Sequence, residues 1–196
     1  MSKKRLAEIS KYLSYILRHN PGSIGLRLDS NGYVSTARLI DAINESEDNN
    51  IKGLDFNTLK LIVDTDEKQR YSFKERGYDN YALIRANQGH SIVGLEICFE
   101  KVNPPEELYH GTSKENYDKI KESGAIKPMR RLKVHLSSSL DTAFSVGKRH
   151  GSPVVLGIDT KAMQKDGIEF FISENKIYLV DRVDAKYIKS VYYQTT

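Results

Sequence analysis

Arginine, histidine, glycine and hydroxyl side chains keep company at five places along this 196-residue sequence. They are "LRHN" (Arg18, His19), "KQRYSFKER" (Lys68, Arg70, Lys74, Arg76), "ANQGHS" (Gln88, His90, Ser91), "YHGTS" (His110, Gly111, Thr112) and "PMRRLKVHLSSS" (Arg130, Arg131, His135, Ser137). A sixth basic patch is Lys148, Arg149 and His150. Guanidinium forks and imidazoles suit phosphate oxygens, and hydroxyls and glycine backbone add neutral donors at close range. Such an inventory binds phosphates and stabilises negative charge as it develops.

Each stretch also has a plainer reading. Arg18 and His19 close an apolar-striped segment, where cations complement the helix dipole for a few tenths of a kcal/mol. The alternative is a device for holding a phosphate monoester. "YHGTS" stands at the head of an expected helix, where free N–H groups favour an anion, yet Thr112 or Ser113 as a simple N-cap explains it equally. "ANQGHS" reads as a strand end with a close-approach glycine, or as an ordinary turn.

Other chemistries find less support. No histidine stands at metal spacing with a cysteine or a second histidine, so zinc is disfavoured. Ser137–Ser139 lack a Ser-His-Asp partner order, and Cys98 is placed in an apolar strand, away from nucleophilic chemistry. No carboxylate pair sits in a motif. Neither GxGxxG nor GxxxxGK[ST] occurs, which disfavours Rossmann and P-loop sites.

The elements that must carry these residues follow from periodicity. Leu6, Ile9, Leu13, Ile16 and Leu17 predict a helix over about 5–19, ended by Asn20-Pro21-Gly22. "GLRLDSNGYVS" predicts a small hairpin around Asn31-Gly32. Helices are expected in "STARLIDAI" and "DFNTLKLIVDT", then strand, turn and strand in "RYSFKERGYDNYALIRA". Three helices followed by a hairpin is a winged-helix order. Prolines 104 and 105 place a linker near 92–105, so two domains are expected, 1–92 and 93–196. The second half alternates short strands ("LYHGT", "KVHLS", "PVVLGID", "EFFIS", "KIYLV", "YIKSVYY") with helices in "SKENYDKIKESG" and "LDTAFSVGKRHG", each closed by glycine.

Apolar residues make up 39% of the chain, enough for a core, and one cysteine cannot form an internal disulfide. No run reaches membrane-span length, and the first residues are too polar for a signal peptide, so a soluble cytoplasmic protein, away from membranes and monomeric, is expected. The net charge of +4 is evenly divided: 14 basic and 12 acidic residues in 1–92, 16 and 14 in the remainder. Clustering therefore says more about phosphate partners than total charge does.

Taken in order, "LSYILRH", "DSNGYV", "DEKQRYSF", "IRANQGHS", "LYHGT", "SGAIKPMRRLKVHLS" and "VVLGID" resemble the tRNA 2′-phosphotransferases, the KptA family. The resemblance runs from about residue 9 to 192. It implies an α+β chain with an N-terminal winged-helix lobe that binds RNA and a C-terminal ADP-ribosyltransferase-like lobe that binds NAD. It also implies a reaction: an internal RNA 2′-phosphate displaces nicotinamide from NAD, and the ribose 2″-hydroxyl of the RNA-2′-phospho-ADP-ribose then attacks phosphorus. The products are 2′-hydroxyl RNA and ADP-ribose 1″,2″-cyclic phosphate, and the resemblance implies no metal.

Residue by residue, the resemblance implies catalytic roles for Arg18, His19, Arg70 and Arg131. The fixed distance to "VHLS" favours Arg131 over Arg130. NAD contacts are implied for His110, Gly111, Thr112, His135 and Ser137, and RNA contacts for Arg18, His19, Arg70, Gln88, His90 and Ser91. His19 would handle a proton at the RNA 2′-oxygen or the 2″-hydroxyl. The late-strand glutamate of many ADP-ribosyltransferases falls near Ile177, a residue without a carboxylate, with Glu174 three positions before it. Two competing functions are ADP-ribosylation of nucleic-acid terminal phosphates and a non-enzymatic winged-helix regulator that senses NAD.

Overall fold

The computed structural model describes residues 1–47, 49–74 and 82–194. The chain divides into two compact units, Met1–Cys98 and Phe99 onward.

In the first unit the apolar stripe does form a helix, α1 (Lys3–Arg18), which buries Ile9, Leu13, Ile16 and Leu17. The Ser2 hydroxyl caps its start, and the His19 N–H closes its end on the Tyr15 carbonyl at 2.9 Å. Pro21 then opens a short 3-10 turn, Pro21–Ile24. Strand β1 (Val34–Ser35) is followed by α2 (Thr36–Glu45), α3 (Phe56–Asp64), β2 (Tyr71–Lys74) and β3 (Leu83–Ala86). The strands form an antiparallel sheet in the order β1-β3-β2. Leu39, Ile43, Leu59, Ile62 and Ile84 join the α1 stripe in one core.

Two expectations change here. No hairpin forms around Asn31-Gly32, because Asp29 captures the Asn31 and Tyr33 N–H groups at 3.0 and 2.8 Å and folds the segment into a side-chain-anchored turn. Strand β1 instead pairs with β3, whose residues are far along the chain. The turn expected between β2 and β3, with Arg76, lies outside the described residues.

The second unit is mostly antiparallel sheet. Its elements are β4 (Glu100–Val102), β5 (Glu107–Ser113), α4 (Lys114–Ser123), β6 (Ala125–Ile126), β7 (Val134–Leu136), α5 (Leu140–Gly147), β8 (Pro153–Asp159), α6 (Thr160–Lys165), β9 (Phe170–Ile172), β10 (Tyr178–Val180), β11 (Val183–Asp184) and β12 (Ile188–Tyr193). Strands order as β4-β9-β10-β7, β12-β8-β5 and β11-β6. A Tyr109–Ser137 bridge ties β5 to the end of β7, and Leu108, Leu136, Leu156, Ile158, Phe170 and Val180 fill the core.

The 92–105 stretch is less of a linker than its prolines suggest, since β4 pairs with β9 inside the second unit. Cys98 is exposed and outside any strand, correcting the apolar-strand placement. Among the described residues no helix is long and apolar enough to cross a membrane.

Candidate functional site

Arg18 and His19 stand where α1 runs out, held by the segment that follows β3. Gly89 adopts φ +89°, open to glycine at little cost, and a Cβ there would lie 3.7 Å from Arg18 Cδ and 3.8 Å from its Nε. Its bare backbone thus packs along the arginine stem. Two residues on, the Ser91 N–H donates to the Arg18 carbonyl (2.9 Å), and the Ser91 hydroxyl bonds His19 Nδ1 (2.9 Å). The His19 ring remains exposed, 6.4 Å from the Tyr15 ring. Gly89 and Ser91, either side of His90, therefore strap the arginine stem, the turn carbonyl and the imidazole.

His90, the middle of the strap, is 1% exposed. Among the described residues neither of its ring nitrogens has a hydrogen-bond partner, and Nε2 faces Gly32, 3.4 Å from where a Cβ would stand. Burial, then the charges of Arg18, Arg85 and His19, drive its pKa down to about 3. His90 is thus neutral at physiological pH, and sits behind the surface. Gln88 is partly exposed at the start of the strap.

Arg70 is presented differently, from a tight turn between α3 and β2. Asp66 organises that turn: its carboxylate accepts from the Arg70 N–H (2.6 Å) and pairs with the Arg70 guanidinium, and its carbonyl accepts from the Gln69 N–H (2.7 Å). Gln69 is held at φ +45°, unusual for a side chain with a Cβ. Its carbonyl is fixed by the Asn87 amide at 2.7 Å, while Asn87 Oδ1 accepts from Ser72 (2.7 Å) and its N–H donates to the Arg70 carbonyl (2.8 Å). Arg18 and Arg70 both act on the buried Tyr71 hydroxyl, whose pKa burial pushes up while the Ser10 hydrogen bond and the two arginines pull it down. Sequence reasoning passed over Asp66, Asn87 and Arg85. Arg85 is buried with its guanidinium 4.7 Å from the Tyr33 ring centre, a cation–π stack beside the same cluster.

In the second unit, Gly111 and Thr112 lie inside β5, paired with Val155 and Val154, and α4 begins only after Ser113, its N-cap. This corrects the anion-site reading of "YHGTS", since the Gly111 and Thr112 N–H groups belong to a strand, and bears out the N-cap alternative at Ser113, whose hydroxyl accepts from the Asn116 N–H. Gly111 is required by packing, for a Cβ there would come within 1.8 Å of the Ala143 carbonyl oxygen in α5. Thr112 is buried. His110 Nδ1 meets the His135 carbonyl at 3.1 Å, which ties β5 to β7 and leaves Nε2 as the ring's other functional atom. Its pKa is lowered, first by burial and then by the Arg131 and His150 charges, against the support of that carbonyl.

The Ser137 hydroxyl is engaged in the turn before α5, donating to the Ser139 carbonyl (3.1 Å) and accepting from the Ser139 N–H (3.0 Å). Arg131 is exposed, its N–H closing a turn on the Pro128 carbonyl at 2.9 Å, just after Met129 at φ +55°. Partial desolvation and the neighbouring Arg149 press its pKa downward, yet a guanidinium with this much solvent stays a full cation. Ile177 directly precedes β10, and Glu174 is exposed in the turn after β9. Among the described residues no three His, Cys, Asp or Glu side chains gather as a metal would need.

Each unit thus carries arginine and histidine side chains on ordered backbone: Arg18, His19 and Arg70 at a helix end and a turn in the first, His110, His135 and Arg131 in two strands and a turn in the second. The chain belongs to the RNA 2′-phosphotransferase, Tpt1 / KptA family, which it matches over residues 4–182. It is 45% identical to a protein of Nostoc punctiforme over 97% of this chain and 100% of that one. It is 45% identical to one of Fusobacterium nucleatum (93% and 97%) and 39% identical to one of Flavobacterium johnsoniae (96% and 98%). All three carry the name "Probable RNA 2′-phosphotransferase".

Proposed function

We infer that this chain removes an internal 2′-phosphate from RNA by transferring it to NAD. The observation that carries the reading is the strapped Arg18–His19 pair with the turn-fixed Arg70 in one unit, in a chain of this family. In this reading Met1–Cys98 is a winged-helix RNA-binding lobe and the rest an ADP-ribosyltransferase-like lobe.

A 2′-phosphate carries nearly two charges at neutral pH, and each charge-assisted hydrogen bond contributes about 1.5–3 kcal/mol. In this reading Arg18 and Arg70 hold it. Asp66 and the strap fix both side chains before substrate arrives, so little ordering entropy remains to be lost. The second unit's donor set fits the dinucleotide: His110 with one nitrogen committed and the other available, His135 beside it, and the Arg131 and His150 charges within reach for a diphosphate.

NAD is a second substrate. A phosphate oxygen bonds C1″ as nicotinamide leaves, giving RNA-2′-phospho-ADP-ribose. The 2″-hydroxyl then bonds phosphorus, the bond to the RNA 2′-oxygen breaks, and the proton passes from 2″-hydroxyl to 2′-oxygen with His19 as its carrier. Arginines matter most here, where charge grows on the phosphoryl oxygens.

The test is incubation with NAD and an RNA bearing one internal 2′-phosphate. The expected products are 2′-hydroxyl RNA, nicotinamide and ADP-ribose 1″,2″-cyclic phosphate. Folded protein that yields none of them overturns the reading.

A further inference from the structure

We propose that Ser91 is a positioning residue that acts through His19, fixing its imidazole with Nδ1 protonated and Nε2 turned to the reacting oxygens, and is not itself an RNA contact. The proposal rests on the function inferred above. Ser91 Oγ lies 2.9 Å from His19 Nδ1, and Ser91 is itself immobilised by its N–H bond to the Arg18 carbonyl. The hydroxyl therefore stands at a fixed place on the same helix end that carries the ring.

A proton carrier alternates between neutral imidazole and imidazolium. If Nε2 is the working atom, Nδ1 carries hydrogen in both states. An accepting hydroxyl fits both, whereas a donating one would require Nδ1 bare and could not serve the imidazolium. The arrangement is the nucleophile–base–orienter logic with serine in the orienting place. A neutral orienter also suits the surroundings. A carboxylate at this position would pair with the adjacent Arg18 and subtract from the charge available to phosphate.

Three variants and two readouts test this. In protein with 15N-labelled histidine, held at a pH where His19 is neutral, nitrogen shifts report the tautomer. Wild type is expected to show mostly Nδ1–H, Ser91→Ala a shift toward the Nε2–H form, and Ser91→Thr, which keeps the hydroxyl, a return. With NAD and the 2′-phosphorylated RNA, Ser91→Ala should lower kcat about tenfold with KM for RNA within about twofold, and Ser91→Thr should recover most of the rate. A raised KM with kcat intact would overturn the proposal, making Ser91 a substrate contact. An unchanged tautomer in Ser91→Ala would overturn it too. Should wild type show no phosphate removal, the proposed function fails, while the tautomer measurement still judges the Ser91–His19 bond by itself.

Discussion

Arg70 and Arg131 sit in turns of one kind and are handled in opposite ways. Each follows closely on a non-glycine residue in the left-handed region, Gln69 at φ +45° and Met129 at φ +55°. A side chain there costs on the order of 1 kcal/mol or more, and the surroundings must hold it. Around Gln69 they visibly do: Asp66, Asn87 and Ser72 bond both sides of the turn, and the Arg70 guanidinium rests on a carboxylate whose side chain is only 6% exposed. Around Met129 the turn closes with the Arg131 N–H on the Pro128 carbonyl, Met129 is 87% exposed, and the charge beside Arg131 is another arginine. The Arg70 guanidinium is fixed by the fold itself, whereas Arg131 is left at the surface. Under the function proposed above, the difference sets where the ordering cost of binding falls: on folding at Arg70, on substrate capture at Arg131.

The largest effects should come from the two arginines themselves. Alanine at either position removes a fork worth two charge-assisted bonds, so phosphate removal should drop about 100-fold to 10,000-fold. Lysine separates the two. At Arg70 a single ammonium cannot serve Asp66 and phosphate together, so Arg70→Lys should stay near the alanine level. At the exposed position a flexible ammonium can reach the anion, and Arg131→Lys should keep at least about ten times more activity than Arg70→Lys. Equal losses in the two lysine variants, measured as kcat/KM, would erase the distinction.

A second consequence concerns buried histidines. His90 has no hydrogen-bond partner among the described residues, whereas the His135 carbonyl supports protonated His110. Folding lowers the His90 pKa from 6.5 to about 3. The unfolded chain therefore takes up a proton that the folded chain refuses. Stability from this group is complete above about pH 6.5 and declines as pH falls toward 3. At pH 5 the loss is about 2 kcal/mol relative to pH 7.5, by the standard conversion of a pKa difference. Urea midpoints at the two pH values should show that slope in wild type and a shallower one in His90→Asn, whatever the variant's absolute stability. An unchanged slope would mean that His90 takes up its proton in the folded chain at the same pH as in the unfolded one.

Much of this was legible in the sequence. The α1 stripe, "PVVLGID" as β8 and α4 closed by Gly124 follow from period and punctuation, because local propensity and tertiary burial agree there. Helix α5 instead ends at Gly147, and Gly151 closes the short 3-10 turn Lys148–His150 that follows. The Arg18–His19 pair was visible as chemistry without its strap, since Gly89 and Ser91 reach it only after the chain has passed through two more α-helices and a sheet. Asp66 stood in a quoted motif and was passed over: a carboxylate amid cations reads as solvated surface until its side chain proves buried. Arg85 was hidden for the reverse reason, an arginine in a strand whose burial depends on Tyr33, far away in sequence. "YHGTS" misled because hydroxyls before a helix look alike whether the strand ends one residue earlier or three.

The smallest expected effect is the sharpest check on the exposed loop. Arg130 and Arg131 are neighbours and both exposed, yet only Arg131 stands among the charges that weigh on His110. Arg130→Ala removes one solvent-screened charge, whose influence on a bound phosphate fades within the Debye length of about 8–10 Å. Phosphate removal should therefore change by less than about threefold at physiological salt, and the change should shrink further at 0.5 M salt. Arg131→Ala should stay impaired at both salt concentrations, because a direct fork to an anion is screened far less than a remote charge. If Arg130→Ala proves as damaging as Arg131→Ala, the loop presents its arginines as a pair. The solvent-held cation would then be a two-residue device, further from the single pinned Arg70 than the turn geometry indicates.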